Sequence, residues 1–203
     1  MSIGSLDETG EELAAYAAGN PEAINRLLER YRPFLRRVVQ VRLDASLRGR
    51  VDPSDIVQET HVEVVRRMGD YLTRRPMSFR AWLHSTVCQQ LQVARRLHRE
   101  TRSRTVEREI AFDDQSSVAI AALLLGDSPS QLVERVEIVE KVRGAMERLS
   151  PLDREILLLR NFEALTNIEA AEILEVPPMT AAKRYGRALL RLREELKGLQ
   201  ERL

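Results

Sequence analysis

Apolar residues recur three or four positions apart along most of the chain, and nowhere does a strict in–out alternation appear, so the pattern predicts helices and no strands. A helical stretch runs from about Leu13 to Leu47. Asn20-Pro21 interrupts it, a cap followed by a first-turn proline. Beyond that break Ile24, Leu27, Leu28, Tyr31, Leu35 and Val38 form one apolar face. Arg48-Gly49-Arg50 ends the pattern, and Asp52-Pro53-Ser54-Asp55 opens the next helix with Asp52 as its N-cap. That helix is expected to end near Met68, before Gly69-Asp70, with Ile56, Val57, Val64 and Val65 inward. Thr73-Arg74-Arg75-Pro76 reads as a loop. Ser78 then caps a fourth helix, Phe79 to about Arg104, with Phe79, Trp82, Leu83, Val87, Leu91, Ala94 and Leu97 inward.

The second half repeats the logic. Leu132, Val136, Val139, Met146 and Leu149 mark one helix. Ser150-Pro151-Leu152-Asp153 supplies a serine cap, a first-position proline and an acid three residues after the cap, and so opens a second helix through Asn161. Thr166-Asn167-Ile168-Glu169 opens a third, through Leu174. Val176-Pro177-Pro178-Met179 is a turn, and Thr180 is expected to cap a last helix to about Leu199. Between the halves, Phe112–Ser117 and Gly126–Ser130 carry loop signals around a short apolar run, Val118–Leu125. The expected fold is all-α: two small helical domains, 13–104 and 131–203, with a flexible N-terminus over 1–12 and a linker over 105–130.

Composition narrows the class. The 203 residues are 43% hydrophobic, 31% charged and only 4% aromatic, a globular and helix-favouring mixture. Cys88 is the single cysteine, so no intramolecular disulfide can form. The start, Met1 to Ser5, lacks the basic region and apolar core of a signal peptide, and no apolar run approaches the length of a membrane span. A cytoplasmic protein is expected. The net charge of +1 says little, because the charges segregate.

Two segregated sets matter most. The last helix carries Lys183, Arg184, Arg187, Arg191 and Arg193 with no acid until Glu194, and a short helix and tight turn precede it. This is a helix-turn-helix arrangement, in which the first helix braces the second so that its N-terminal part can enter a DNA major groove. A basic run alone would usually mean a solvated face; the braced turn points to DNA. In the first half, Asp55, Gln58 and Glu59 are three and four apart and therefore share one helix face. Solubility and the helix dipole would explain Asp55 alone. Arg95, Arg96, Arg99, Arg102 and Arg104 form a second basic set, whose natural partner is phosphate.

At these motifs the chain resembles the extracytoplasmic-function (ECF) subfamily of sigma-70 type RNA polymerase sigma factors. Leu149 to Arg160 is similar to the entry of the family's region 4, and Ile168 to Pro177 to its helix-turn-helix. Asp55-Ile56-Val57-Gln58-Glu59 resembles its region 2.2 motif. Phe79 to Leu83 and Ala94 to Glu100 resemble regions 2.3 and 2.4. The resemblance spans about Gly19 to Leu196. It implies that Asp55, Gln58 and Glu59 dock on the coiled coil of the polymerase β′ subunit, with the β subunit as a further contact. It implies that region 2 melts and holds the −10 element, through Arg95, Arg96, Arg99 and Arg102 and through a base-capturing loop that includes Arg74, Arg75, Met77 and Ser78. It implies that region 4 reads the −35 element, with Thr180, Lys183, Arg184 and Arg187 as contacts. Promoter DNA and core polymerase are the implied partners, an anti-sigma factor is left open, and no enzyme activity, metal or cofactor is implied. The chain departs from the family at Glu175, where glycine is common, and at Ala181 and Ala182, where valine and lysine are common.

Two rival readings come from other classes. His84 and Cys88, four apart on one helical face, would suit a shared metal. A zinc-type pattern would want another cysteine three residues on, where Leu91 stands, so a small buried thiol and a surface histidine are expected instead. A stand-alone helix-turn-helix regulator with an N-terminal effector domain would need neither the Asp55–Glu59 face nor the Arg95–Arg104 run.

Overall fold

The computed structural model describes residues 6–43, 47, 50–100 and 141–200. Among them every regular element is a helix. The chain divides into two units, Met1–Glu109 and Ile110–Leu203. The expected linker over 105–130, and the expected helix positions Leu132, Val136 and Val139, lie outside the described residues.

Unit one holds α1 (Leu6–Ala17), α2 (Pro21–Arg42), α3 (Pro53–Arg74) and α4 (Phe79–Glu100). α2 is its axis and packs on the other three, while α3 also packs on α4. Its start follows the expected local chemistry. Gly19 takes φ +96°, which a side chain would resist, and Asn20 Oδ1 accepts from the Glu22 N–H at 3.1 Å. From Ala23 to Val41 the buried positions of α2 follow the three-to-four spacing, Leu27, Leu35 and Val38 completely. α3 is capped by Asp52, whose carboxylate accepts from the Ser54 N–H at 2.8 Å and the Ser54 hydroxyl at 2.6 Å. These two bonds, with Arg36 nearby, hold the Asp52 carboxyl below its usual range.

Four expectations change here. Residues 6–12 are helical, not loose. Thr9 and Leu13 are buried one turn apart, the Thr9 hydroxyl lies 3.0 Å from the Tyr31 hydroxyl, and Glu12 takes both arms of Arg26 at 3.0 and 2.8 Å. A segment poor in apolar residues folds because α2 offers it partners. α3 runs past Gly69 to Arg74, since Met68 and Tyr71 extend the stripe of Val64 and their burial outweighs glycine's cost of about 1 kcal/mol. It ends at Arg75 in the left-handed region, φ 38°, with the Arg75 N–H on the Tyr71 carbonyl at 2.8 Å. Val65 and Leu97, expected inside, are 44% and 58% exposed: Val65 sits beside the buried stripe of α3, whereas Leu97 is on the stripe of α4 but beyond its last buried position, Leu91. His84 is buried and Cys88 half-buried, the reverse of the expected burial, with Sγ 3.7 Å from Nε2. Among the described residues no three His, Cys, Asp or Glu side chains could share a metal.

The lower core of unit one is aromatic. Tyr71 stacks on Trp82 at 4.5 Å between centroids, and Phe79 meets Tyr31 and Tyr71 edge-on at 5.5 and 5.6 Å. Such contacts add about 0.5–1.5 kcal/mol each beyond burial.

Unit two holds α5 (residues 141–148), α6 (Pro151–Leu157) running into a π-helical turn (Leu158–Phe162), α7 (Asn167–Ile173) and α8 (Pro178–Gln200). Ser150 Oγ accepts from the Asp153 N–H at 3.2 Å. Thr166 and Glu169 form a reciprocal capping box, with bonds of 3.2 and 2.6 Å. Arg154 closes the end of α5 by donating to the carbonyls of Met146, Glu147 and Leu149. Thr180 does not cap α8. Proline at position 178 fits a first helical turn, so α8 begins there, and the Thr180 and Ala181 N–H groups donate to the Pro177 carbonyl at 2.8 and 3.1 Å. Glu175, where the resembling family commonly has glycine, takes φ 53°. That backbone conformation is the physical reason glycine suits the position.

Because Leu35 is fully buried at the centre of α2, Leu35→Ala should lose about 2–5 kcal/mol of stability in denaturant unfolding. Val65→Ala should change stability by less than about 0.5 kcal/mol, as a surface position does. A loss at Val65 comparable with that at Leu35 would contradict the packing described.

Candidate functional site

On α3 the inward stripe is Ile56, Val57, Thr60, Val64 and Met68. The opposite side presents Asp55, Gln58 and Glu59, all exposed. No described side chain forms an ion pair with either carboxylate. The exposed stripe continues one turn further as Val62, 65% exposed, and Val65. Beside it lies a groove of about 430 Å³, lined by Asn25, Leu28 and Glu29 of α2 and by His61, Val62 and Val65 of α3. The sequence reading found the carboxylates and missed the groove. Its signal was the continuation of the 55–58–59 spacing to 62 and 65.

His61 closes one wall of that groove. Its Nε2 is buried and has no hydrogen-bond partner. Burial holds its pKa below the ordinary value, opposed by the Glu29 carboxylate and reinforced by Arg32.

The basic set on α4 divides. Arg95 is half-buried and Nη2 donates to the Arg42 carbonyl at 2.7 Å, 53 residues away in sequence. It closes the C-terminal end of α2 and is half-buried where an exposed side chain was expected. Arg96 is exposed. The side chains of Arg99 and Arg102 lie outside the described residues. Of the loop candidates, Arg74 and Arg75 are exposed at the end of α3. Met77 and Ser78 are half-buried and tied inward: the Met77 carbonyl accepts from the Tyr71 hydroxyl at 3.2 Å, and the Ser78 carbonyl from the Trp82 N–H at 3.0 Å. Arg80, overlooked in the sequence, lies over the Phe34 ring at 4.5 Å.

In unit two, α7 braces the start of α8, where Asn167 Nδ2 donates to the Pro178 carbonyl at 2.9 Å. Thr180 and Arg184 are half-buried, and Lys183 and Arg187 are exposed. All four lie on the first turns of α8, and the three cations have no ion-pair partner among the described residues. Arg191, one of the same basic run, pairs instead with the buried Asp153 of α6. Met179 and Ile168, 67% and 61% exposed, place apolar side chains on the first turns of α8 and α7. Among the described residues no helix is long and apolar enough to cross a membrane.

A carboxylate-faced helical bundle and a braced basic helix-turn-helix in one chain define a class of transcription protein. Residues 27–104 match the family model for sigma-70 region 2, and residues 140–192 that for sigma-70 region 4. The chain belongs to the sigma-70 family of RNA polymerase sigma factors and is of the ECF type. It is 28% identical over 199 residues to the ECF RNA polymerase sigma factor SigD of Mycobacterium tuberculosis (strain ATCC 25618 / H37Rv), covering 95% of this chain and 87% of SigD. It is 27% identical over 190 residues to the RNA polymerase sigma factor CnrH of Cupriavidus metallidurans, covering 89% and 90%. The solved structure of CnrH in complex with the cytosolic domain of CnrY shares the fold, with a TM-score of 0.55 at 21% identity over 96% of this chain and 99% of that one.

The half-buried His61, with its Nε2 enclosed, makes a test of pH. Its folded pKa lies below the ordinary 6.5, so as pH falls below that value the unfolded chain takes up a proton that the folded chain refuses. Stability is therefore lost from about pH 6.5 down to the folded pKa and is unaffected by this group above it. Thermal melts of His61→Gln should show a shallower decline across that window than the wild type. Parallel curves would mean that His61 titrates normally.

Proposed function

We propose that this sigma factor docks on core RNA polymerase through the exposed face of α3 and the groove beside it, and holds promoter DNA through α4 and α8. The observation that carries the reading is that face: carboxylates with no ion-pair partner of their own lie next to apolar residues that nothing in the described chain covers. A basic, partly apolar coiled coil on the polymerase fits both. Asp55 and Glu59 would pair with its cations and set register and association rate, while Val62 and Val65 would supply burial. Arg74, Arg75 and Arg96 remain as region 2 contacts to DNA, joined by Arg99 and Arg102 on sequence grounds. For region 4, the free cations at the start of α8 support entry into the major groove, with Arg184 reading base edges and Lys183 and Arg187 gripping phosphate. Met77 and Ser78 are weaker candidates for a base-capturing pocket, since their carbonyls are already engaged. An anti-sigma partner is supported only by likeness to CnrH, which is solved with the cytosolic domain of CnrY.

Run-off transcription with core polymerase, with and without this chain, tests the whole reading. Charge reversal at Asp55 and Glu59 together should weaken co-elution with core polymerase while leaving the circular dichroism spectrum unchanged. Unchanged co-elution would sink the docking assignment.

In a panel of −35 variants bound by the holoenzyme, Arg184→Ala should lose about 1–3 kcal/mol of discrimination at one base position. Lys183→Ala should instead weaken every sequence alike and flatten the salt dependence. If Arg184→Ala weakens all variants equally, Arg184 contacts phosphate only.

A further inference from the structure

α8 meets the rest of unit two through Ala181, Tyr185, Ala188 and Leu192, positions that recur on one side of the helix. The two alanines are fully buried and nearly featureless, so they fix how closely α8 approaches and do little to fix its rotation about its own axis. A directional contact is needed for that. Tyr185 makes one: its hydroxyl donates to Asn161 Oδ1 at 2.8 Å. The Arg160 guanidinium lies 5.4 Å from the Tyr185 ring centroid and is itself anchored, donating to the Leu165 carbonyl at 2.6 Å.

Both partners come from the π-helical turn Leu158–Phe162. Here the Glu163 N–H bonds the Leu158 carbonyl at 3.0 Å, five residues back instead of four. The wider turn buries Leu158, Leu159 and Phe162, yet still leaves Arg160 and Asn161 half-buried where α8 crosses. Single π turns of this kind are uncommon and frequently mark functional sites. The chain then bends at Ala164, φ 53°, directly before the Thr166 cap of α7. One local distortion thus serves both helices of the helix-turn-helix. Further along α8, Arg191 on Asp153 and Arg148 on Glu195 add ionic ties, but these lie beyond the turns that carry Lys183, Arg184 and Arg187.

We infer that Tyr185, held at its hydroxyl by Asn161 and at its ring by Arg160 of the π-helical turn, is a positioning residue that sets the rotation of α8 and so aims Arg184 at a base edge. The inference rests on the proposed −35 reading. Tyr185 makes its contacts within the protein, not to DNA. It acts through its chain neighbour, since a small rotation of α8 swings a long arginine far at its tip.

The test uses the full chain assembled with core polymerase. The preferred upstream sequence is first selected from a library of promoters randomised in that region. Affinity is then measured for that duplex and for single-base variants of it. Tyr185→Phe keeps the ring and removes the hydroxyl, and it should reduce the preference for the selected base by about three- to tenfold, the span of one hydrogen bond. Affinity for unrelated duplex and its salt dependence should not change. Asn161→Leu should do the same, and Asn161→Asp, which keeps an acceptor oxygen, should retain the preference. Combining Tyr185→Phe with Asn161→Leu should add nothing to either alone. Circular dichroism checks that each variant is folded; a merely structural role would lower stability and leave base preference intact. Wild-type preference in Tyr185→Phe, or an equal loss for all duplexes, would overturn the inference while the −35 reading stands. If the wild-type holoenzyme selects no upstream sequence, the −35 reading fails and this inference with it.

Discussion

Helices of this length gain little from their own hydrogen bonds in water and depend on burying one stripe against a neighbour. α2 meets three neighbours at once, and its buried positions run almost its whole length. The helices around it need only one side for packing. α3 spends the side of Ile56, Val57, Val64 and Met68 on the core, which leaves its other side without a structural duty. In unit two α8 is tied to the rest of the unit by a narrow line of two alanines, Tyr185 and Leu192, so most of its circumference faces outward. The surfaces that can serve a partner are the ones this packing leaves over.

Those surfaces are then sorted by which charges the fold consumes. Arg95, Arg154 and Arg191 read in the sequence like the other arginines around them. In the structure Arg95 holds the last carbonyl of α2, Arg154 holds three carbonyls at the end of α5, and Arg191 pairs with buried Asp153. Each does a job that a helix end or a buried acid demands. Asp55, Glu59, Lys183, Arg184 and Arg187 have no comparable duty. Exposed ion pairs contribute about 0–1 kcal/mol, so the fold gains little by pairing such groups internally, and they remain available.

Legibility in the sequence followed the range of the interaction. Asn20, Asp52, Ser150 and the Thr166–Glu169 box were readable because a cap bonds groups within three residues of itself. The Asp55–Gln58–Glu59 face was readable because helical spacing alone places it. What failed needed a second element. Residues 6–12 are helical because Tyr31 and Arg26 of α2 receive Thr9 and Glu12. α3 passes Gly69 because an aromatic cluster receives Tyr71. The groove at His61 takes walls from two helices, so the spacing along α3 could have given its exposed valines but not the wall from α2. Arg95 was misread for the same reason, its acceptor being the carbonyl of a residue on another helix.

The turns show where the fold holds strain and what releases it elsewhere. Arg75, Ala164 and Glu175 all take positive φ without being glycine. A left-handed residue with a side chain costs about 1–2 kcal/mol, and such costs persist only where the surroundings over-determine the backbone. Each of the three is over-determined. The Arg75 N–H holds the Tyr71 carbonyl, and the Tyr71 ring is locked in the aromatic cluster. Leu165, next after Ala164, is fully buried and gives its carbonyl to Arg160. Around Glu175, the Glu175 and Val176 N–H groups close on the carbonyls of Glu172 and Ala171 at 3.2 and 3.0 Å. Two of them lie just before segments with a proposed contact to DNA, Arg75 before the loop into α4 and Glu175 before α8, and Ala164 lies just before α7, the brace of α8. A relaxed backbone at these three points would leave the helices intact and let their relative angles drift. The strain is therefore best understood as the cost of fixing those angles before any partner arrives.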